Sequence, residues 1–161
     1  MQPTEKEQKP PLFRIDYDGR WFHDGGEIKR PALAKLFADK GLRVDENGQH
    51  WLSSPESRYP VTVDDVPFII VDYDIREDGI DLIGNMGDVV PLGPDHILEL
   101  RAEPRGGVQV PYVNVRSGLY ARISRAVFYK LVEHATPDHD RMVLNSRGIC
   151  HILGYVPQGK N

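Results

Sequence analysis

The chain writes the start of one helix twice. "IKRPALAKLF", Ile28 to Phe37, and "ISRAVFYKLV", Ile123 to Val132, carry identical residues at four matching positions. Ile28, Arg30, Lys35 and Leu36 correspond to Ile123, Arg125, Lys130 and Leu131. The surroundings match in order as well. Each copy follows two short strand-like runs about a turn, "FRIDYDGRWFH" and "YVNVRSGLYARI", and precedes a hairpin-like run, "LRVDENGQHWL" and "MVLNSRGICHILGYV". Ile15 and Tyr17 correspond loosely to Val113 and Val115, and Gly48 to Gly148, with a few extra residues in the second copy. Agreement in both pattern and identity points to duplication of a strand-turn-strand-helix-hairpin unit. The mixed order of elements predicts an α+β fold of two related small units instead of a parallel α/β sheet. The expected organisation is a solvated tail over residues 1–11, an N-terminal domain over 12–66 and a C-terminal domain over 67–161.

Local signals fill in the elements. Leu33, Leu36 and Phe37 fall on one face of the first helix. Pro31 suits a first turn, where a missing N–H costs nothing, and Gly41 suits the stop. Asn47-Gly48 is the strongest short hairpin signal in the chain. "FIIVDYDI" is the most strand-like run, rich in β-branched and aromatic residues; "IDLIGNM", "DVVPL" and "HILELR" read as further strands. Ser124 is placed to cap the second helix. Val127, Phe128, Leu131, Val132 and Ala135 supply its apolar stripe, and Pro137 is the expected stop.

Composition excludes several classes. At 161 residues, 40% hydrophobic and 27% charged, the chain is ordinary for a globular protein. No apolar run approaches the roughly 20 residues that span a bilayer. "MQPTEKEQKPP" lacks the apolar stretch of a secretory signal, so a cytoplasmic address is expected. The single cysteine, Cys150, can form neither an internal disulfide nor a thiolate metal site alone. A net charge of −4 argues against a broad nucleic-acid surface. The charge is uneven: from Arg101 onward nine Lys and Arg face four acids, or +5, which leaves −9 on residues 1–100. Either the two halves attract one another, or the C-terminal half holds a site for a small anion.

The repeated arginines are the sharpest chemical clue. Arg30 and Arg125 fall at the starts of helices, where the macrodipole and unpaired N–H groups disfavour a cation by a few tenths to about 1 kcal/mol. The same breach at both places asks for an anionic partner. That partner is either a carboxylate of the chain (Asp16, Asp18, Glu27 or Asp88) or the phosphate or carboxylate of a ligand. "GNMGDVVPLGPDH" is a second feature. Gly84, Asn85, Gly87 and Gly93 can take positive φ, so the run is either an anion-binding nest or a pair of tight turns. Asp88, Asp95 and His96 add titratable groups there. "EHATPDHDR" contains metal-ligand types without a zinc or calcium spacing, and no metal or cofactor is expected. No Gly-x-Ser-x-Gly elbow and no dinucleotide fingerprint appears, and no catalytic residue is assigned.

The run "WF…G…IKRPALAKLF" resembles the first block of the proteobacterial domain-of-unknown-function family twelve-eighty-five. "VDDVPFIIVDYDI", "GNMGDVVPLGPDH" and "PYVNVRSGLYARISRAVFYKLVE" resemble its later blocks. The likeness runs from about Phe13 to Tyr155, and one departure is Glu27 where the family pattern often has proline. The resemblance implies a duplicated core and a C-terminal half superficially like a pleckstrin-homology fold. It also implies a site at the interface of the two domains suited to a nucleotide-like ligand, and a role in signalling. Carried onto this chain, the site positions are Arg30, Asn85, Asp88, His96, Arg116 and Arg125. The leading expectation is therefore a ligand-sensing module for a small anion that binds neither nucleic acid nor membrane. The rivals are a small hydrolase using His96 with Asp88 or Asp95, and a protein-interaction module. Ligand identity, protein partners and oligomeric state are not legible in the residues.

Overall fold

A computed structural model describes residues 12–156; the expected tail over 1–11 lies outside the described residues. The chain divides into two compact units after Pro67. Among the described residues both are built mostly from strands, with one helix each. The mixed α/β expectation holds only in this coarser, mostly-β form. No helix among the described residues is long and apolar enough to cross a membrane.

In the N-terminal unit the order is β1 (Phe13–Ile15), β2 (Trp21–His23), β3 (Gly26–Glu27), α1 (Pro31–Lys40), β4 (Leu42–Val44), β5 (His50–Ser53) and β6 (Arg58–Val63). They form a six-stranded sheet ordered β3-β2-β1-β6-β5-β4. All neighbours are antiparallel except β1 and β6, which run parallel with Phe13 opposite Val61. The Asn47-Gly48 turn joins β4 to β5 as its sequence predicts. Gly48 takes φ 85°, and the Asp45 carboxylate accepts from the Asn47 and Gln49 amides and from Trp51 Nε1.

Helix α1 departs from the expected stripe. Its buried residues are Ala34 and Ala38, whereas Leu36 is 50% exposed. Alanine lets a helix approach a sheet closely, and this turns the leucine outward. Gly41 ends the helix without a left-handed turn, at φ −124°. Glycine is needed there for close approach instead: a Cβ would stand 2.8 Å from Leu52 Cδ1 and 3.0 Å from the Ser53 carbonyl oxygen.

The C-terminal unit runs β7 (Phe68–Ile75), β8 (Ile80–Gly84), β9 (Val89–Pro91), β10 (Glu99–Ala102), β11 (Gln109–Arg116), β12 (Leu119–Ile123), α2 (Arg125–Val132), β13 (Thr136–Asp138), β14 (Arg141–Ser146) and β15 (Ile149–Tyr155). A six-stranded sheet takes the order β10-β11-β12-β7-β8-β9, and β13-β14-β15 form a separate three-stranded sheet. Ser124 caps α2 by accepting from the Val127 amide at 3.2 Å, and Val127 and Leu131 are its buried residues. Pro137 does not stop the helix. It lies in β13 opposite Met142, and α2 closes earlier as the Glu133 amide returns to the Lys130 carbonyl at 3.2 Å. β13 is an edge strand, the place where a sheet tolerates proline.

The element order repeats in a fuller form than expected. In each unit a strand pair precedes a helix, with the two-residue β3 between them in the N-terminal unit alone, and three strands follow where a hairpin was expected. The two differ at both flanks: β2 is bordered by β3, whereas β12 is bordered by β7. β1 has β2 on one side and β6 on the other, so the trailing strands join its sheet. β11 has β12 on one side and β10 on the other, so its trailing strands form their own sheet.

A buried hydroxyl ties that small sheet to the large one. Ser146 Oγ accepts from the Ile80 amide at 2.9 Å and donates to the Leu92 carbonyl at 2.8 Å. Gly79 leaves room for it, since a Cβ there would collide with Ser146 Oγ. Ser146→Ala strands the buried Ile80 amide, an unsatisfied group costing about 1–3 kcal/mol, and leaves the Leu92 carbonyl to its second donor, Arg147 Nη1 at 3.2 Å. The expected outcome is a loss of about 2 kcal/mol, read as a lower denaturation midpoint at unchanged m-value.

Candidate functional site

The six site positions fall into two groups. Arg30 and Arg125 occupy the helix starts that their sequence context predicts. Arg30 is the residue before Pro31, extended at ψ 110° and making no side-chain cap; Arg125 is the first residue of α2. Neither helix has an acidic residue in its first turn. Both side chains are exposed, and neither makes a hydrogen bond or ion pair with a described residue. Of the two partners that the sequence leaves open, the internal carboxylate is not present among the described residues.

That isolation contrasts with the other arginines. Arg14, Arg20, Arg76, Arg101, Arg116, Arg141 and Arg147 each lie within 3.1 Å of a carboxylate oxygen. Arg58 lies 3.9 Å over the Trp51 ring.

Asn85, Asp88 and Arg116 gather at one end of the C-terminal six-stranded sheet, and they are engaged there. Asn85 grips the start of β7 from both sides: its Oδ1 accepts from the Ile69 amide at 3.1 Å, and its amide donates to the Ile69 carbonyl at 2.8 Å. Arg116 Nη1 lies 3.0 Å from Asp88 Oδ1, and its guanidinium sits 5.2 Å from the Phe68 ring centroid. His96 does not reach Asp88 or Asp95 among the described residues. Its Nδ1 lies 2.8 Å from the Asn114 carbonyl oxygen, two residues before Arg116 on β11.

The glycine-containing loop is a tight turn, not a nest. Of its candidate positions only Gly87 takes positive φ, at 90°. The amides of Gly84, Asn85, Gly87 and Gly93 are all spent on carbonyls of the chain, those of Asp88, Ile69, Gly84 and His96. Backbone donors consumed in this way cannot hold an anion. In "EHATPDHDR", His134 Nε2 meets the Tyr73 hydroxyl at 3.2 Å, and Asp138 pairs with His139 and Arg141. No group of three metal-ligating side chains occurs among the described residues.

Sequence reading missed the polar knot beside Ser146. Arg147 takes φ 50° in the two-residue Arg147-Gly148 turn between β14 and β15. Its guanidinium donates to the Ile80 and Leu92 carbonyls at 3.1 and 3.2 Å and to Asp78 at 3.2 Å. The buried Asp81 lies between two arginines. Oδ2 accepts from Arg76 Nε at 3.1 Å, and Oδ1 is 2.8 Å from Arg147 Nη2, an ion contact without hydrogen-bond alignment. Three X-Gly turns at positive φ, Asp24-Gly25, Ser117-Gly118 and Arg147-Gly148, were the available signal. The partner of Arg147 lies 66 residues away in sequence, and no local pattern announces it.

Two family models match the chain. "Domain of unknown function (DUF1285), N-terminal domain" covers residues 3–66, and "Protein of unknown function (DUF1285), C-terminal domain" covers residues 67–153. The chain belongs to the DUF1285 family. A crystal structure of a DUF1285 family protein from Silicibacter pomeroyi is similar, at 31% identity and TM-score 0.82, over 96% of this chain and 88% of that one. A DUF1285 family protein from Shewanella baltica shares the fold at 24% identity and TM-score 0.61, over 76% of this chain and 91% of that one. No curated protein matches. The family resemblance carried by the sequence blocks is thus confirmed, and the family name assigns no function.

Another residue outside the expected set matters for pH. His151 is 1% exposed, and its Nδ1 accepts weakly from the Leu98 amide at 3.4 Å. Burial pushes its pKa below the ordinary 6.5, and does the same at His50, where nearby Asp45 opposes it. A histidine with a depressed folded pKa binds its proton more readily when unfolded. Its contribution is therefore full above pH about 6.5 and lost as pH falls from there toward the depressed values. Unfolding free energy should fall over that window, and a His50→Gln, His151→Gln variant should show a flatter profile.

Proposed function

We propose that this DUF1285 chain is a non-covalent ligand-responsive module, acting in the cytoplasm, that binds small anions of the nucleotide-like class at the helix start marked by Arg30 in one unit and at that marked by Arg125 in the other. The single observation that carries this reading is the contrast among the arginines. Seven hold carboxylates of the chain, while the two at helix starts are exposed and unpaired among the described residues. Folding gains nothing from a cation at the positive end of a helix. A guanidinium there, beside unpaired helix N–H groups, is suited to an external phosphate or carboxylate. The excess of basic residues from Arg101 onward has the same sign of preference.

Asn85, Asp88, His96 and Arg116 serve this module differently from Arg30 and Arg125. Each has a partner within the chain, and in this reading they serve as scaffold. The repeated helix starts favour reading the two units as diverged copies of one ancestor. The likeness to a pleckstrin-homology fold is analogy at the level of fold and names no ligand.

The expected result is a dissociation of stability from binding. Arg30→Asp supplies the missing cap and removes the misplaced charge, so it should stabilise by about 1 kcal/mol. Arg125→Ala should be near neutral. The double variant should lose the thermal stabilisation that nucleotides or pyrophosphate give the native chain. That stabilisation is about 2.7 kcal/mol for a ligand at 100 times its Kd. A native chain that shifts with no phosphate compound at millimolar concentration would overturn the reading.

A further inference from the structure

The N-terminal unit carries a second feature with no part in that reading. Because α1 approaches its sheet through Ala34 and Ala38, its larger apolar side chains are left at the side of the contact. Between the last two turns of α1, Phe13 of β1 and the β5–β6 connection lies a groove of about 420 Å³. That volume is within the range of small-molecule sites, roughly 300–1,000 Å³.

The walls are aromatic. The Phe13 ring lies 5.8 Å from Phe37 at 76° and 6.1 Å from Tyr59 at 56°. Leu36 and Tyr59 remain 50% and 43% exposed at the rim, an unusual amount of apolar surface for one small patch to leave in water. Two polar side chains line the groove without a hydrogen bond or ion pair to any described residue: the Lys40 ammonium and the Ser53 hydroxyl. The carbonyls at the end of α1 disfavour an anion, and the Arg43 guanidinium beside the last of them offsets part of that potential. That guanidinium donates to the Leu42 carbonyl at 2.8 Å and approaches the Lys40 carbonyl at 3.5 Å.

We propose that this groove binds a small aromatic carboxylate. Its ring would extend the tilted cluster of Phe13, Phe37 and Tyr59, where edge-to-face contacts add to the burial of apolar area. Its acid group would take a charge-assisted hydrogen bond from Lys40, with Ser53 as a second donor.

The test uses three probes of one shape and different charge: naphthoate, naphthylmethanol and naphthylmethylamine, titrated into the full chain by calorimetry. Naphthoate should bind at least about tenfold more tightly than the alcohol, and the amine most weakly. Lys40→Met should bring naphthoate to the level of the alcohol and leave the alcohol unchanged. Lys35→Met should leave all three unchanged, since Lys35 pairs with Asp39 and does not line the groove. Ser53→Phe, which fills the groove, should abolish binding of both acid and alcohol, with circular dichroism confirming the fold. Leu36→Glu alters only a half-exposed rim residue and places a negative charge there. It should weaken naphthoate more than the alcohol even if the filled variant folds poorly. No saturable binding of naphthoate, equal affinity for acid and amine, or naphthoate binding that survives Ser53→Phe or Leu36→Glu undiminished would overturn the proposal. The response to phosphate compounds plays no part in these outcomes, so the two readings fail independently.

Discussion

The C-terminal unit depends on one polar seam. Two sheets that share no ladder would ordinarily be joined by apolar packing alone, which fixes distance better than register. Here Ser146 and the adjacent Arg147 reach from the small sheet to buried backbone groups of Ile80 and Leu92 beside the large one. Together they satisfy the Ile80 amide and the Ile80 and Leu92 carbonyls. The buried Asp81 then has a charge partner on each side, Arg76 from its own sheet and Arg147 from the other. Removing either side of such an arrangement leaves a charge or a backbone group dry and unpaired, so the docking is specific as well as favourable. Gly79 and Gly93 allow the approach: a Cβ at Gly93 would stand 3.2 Å from Arg147 Cβ.

Legibility in the sequence followed the range of the interaction. The Asn47-Gly48 hairpin, the Ser124 cap and the paired helix starts are local, and the chain states them within a few residues. The burial of Ala34 in place of Leu36 was not legible, because which face of α1 turns inward is set by the sheet it meets. Nor was the role of Pro137, which reads as a helix stop but lies in an edge strand. The candidate site divides in the same way. Arg30 and Arg125 stand out by violating a local rule, and the structure leaves them unpaired among the described residues. Asn85, Asp88, His96 and Arg116 look like ligand chemistry in sequence. Their partners Ile69, Arg116, Asn114 and Asp88 lie 16 to 28 residues away, beyond the reach of any local pattern.

The two units share an order of elements and differ at both flanks of the leading strand pair. Each has a strand pair, a helix and three trailing strands. In the N-terminal unit the trailing strands close onto β1. In the C-terminal unit β10 already occupies that edge of β11, and the trailing strands become a second layer with its own seam. The polar knot around Ser146 and Arg147 joins that second layer to the first.

The parallel pairing of β1 with β6 has a consequence for how the chain is made. Phe13 meets Val61, so the centre of the first sheet joins nearly the two extremes of its unit. During vectorial synthesis β1, β2 and β3 can form a small meander and β4 and β5 a hairpin, with nothing to join the two until β6 emerges. The sheet acquires its middle only after Val63 has left the ribosome. The C-terminal unit repeats the delay, since β7 finds its parallel neighbour only when β12 arrives, with Phe68 opposite Ala121. Each unit thus closes late and in a single long-range step, an order of events that favours slow and cooperative folding over stepwise growth from the N-terminus.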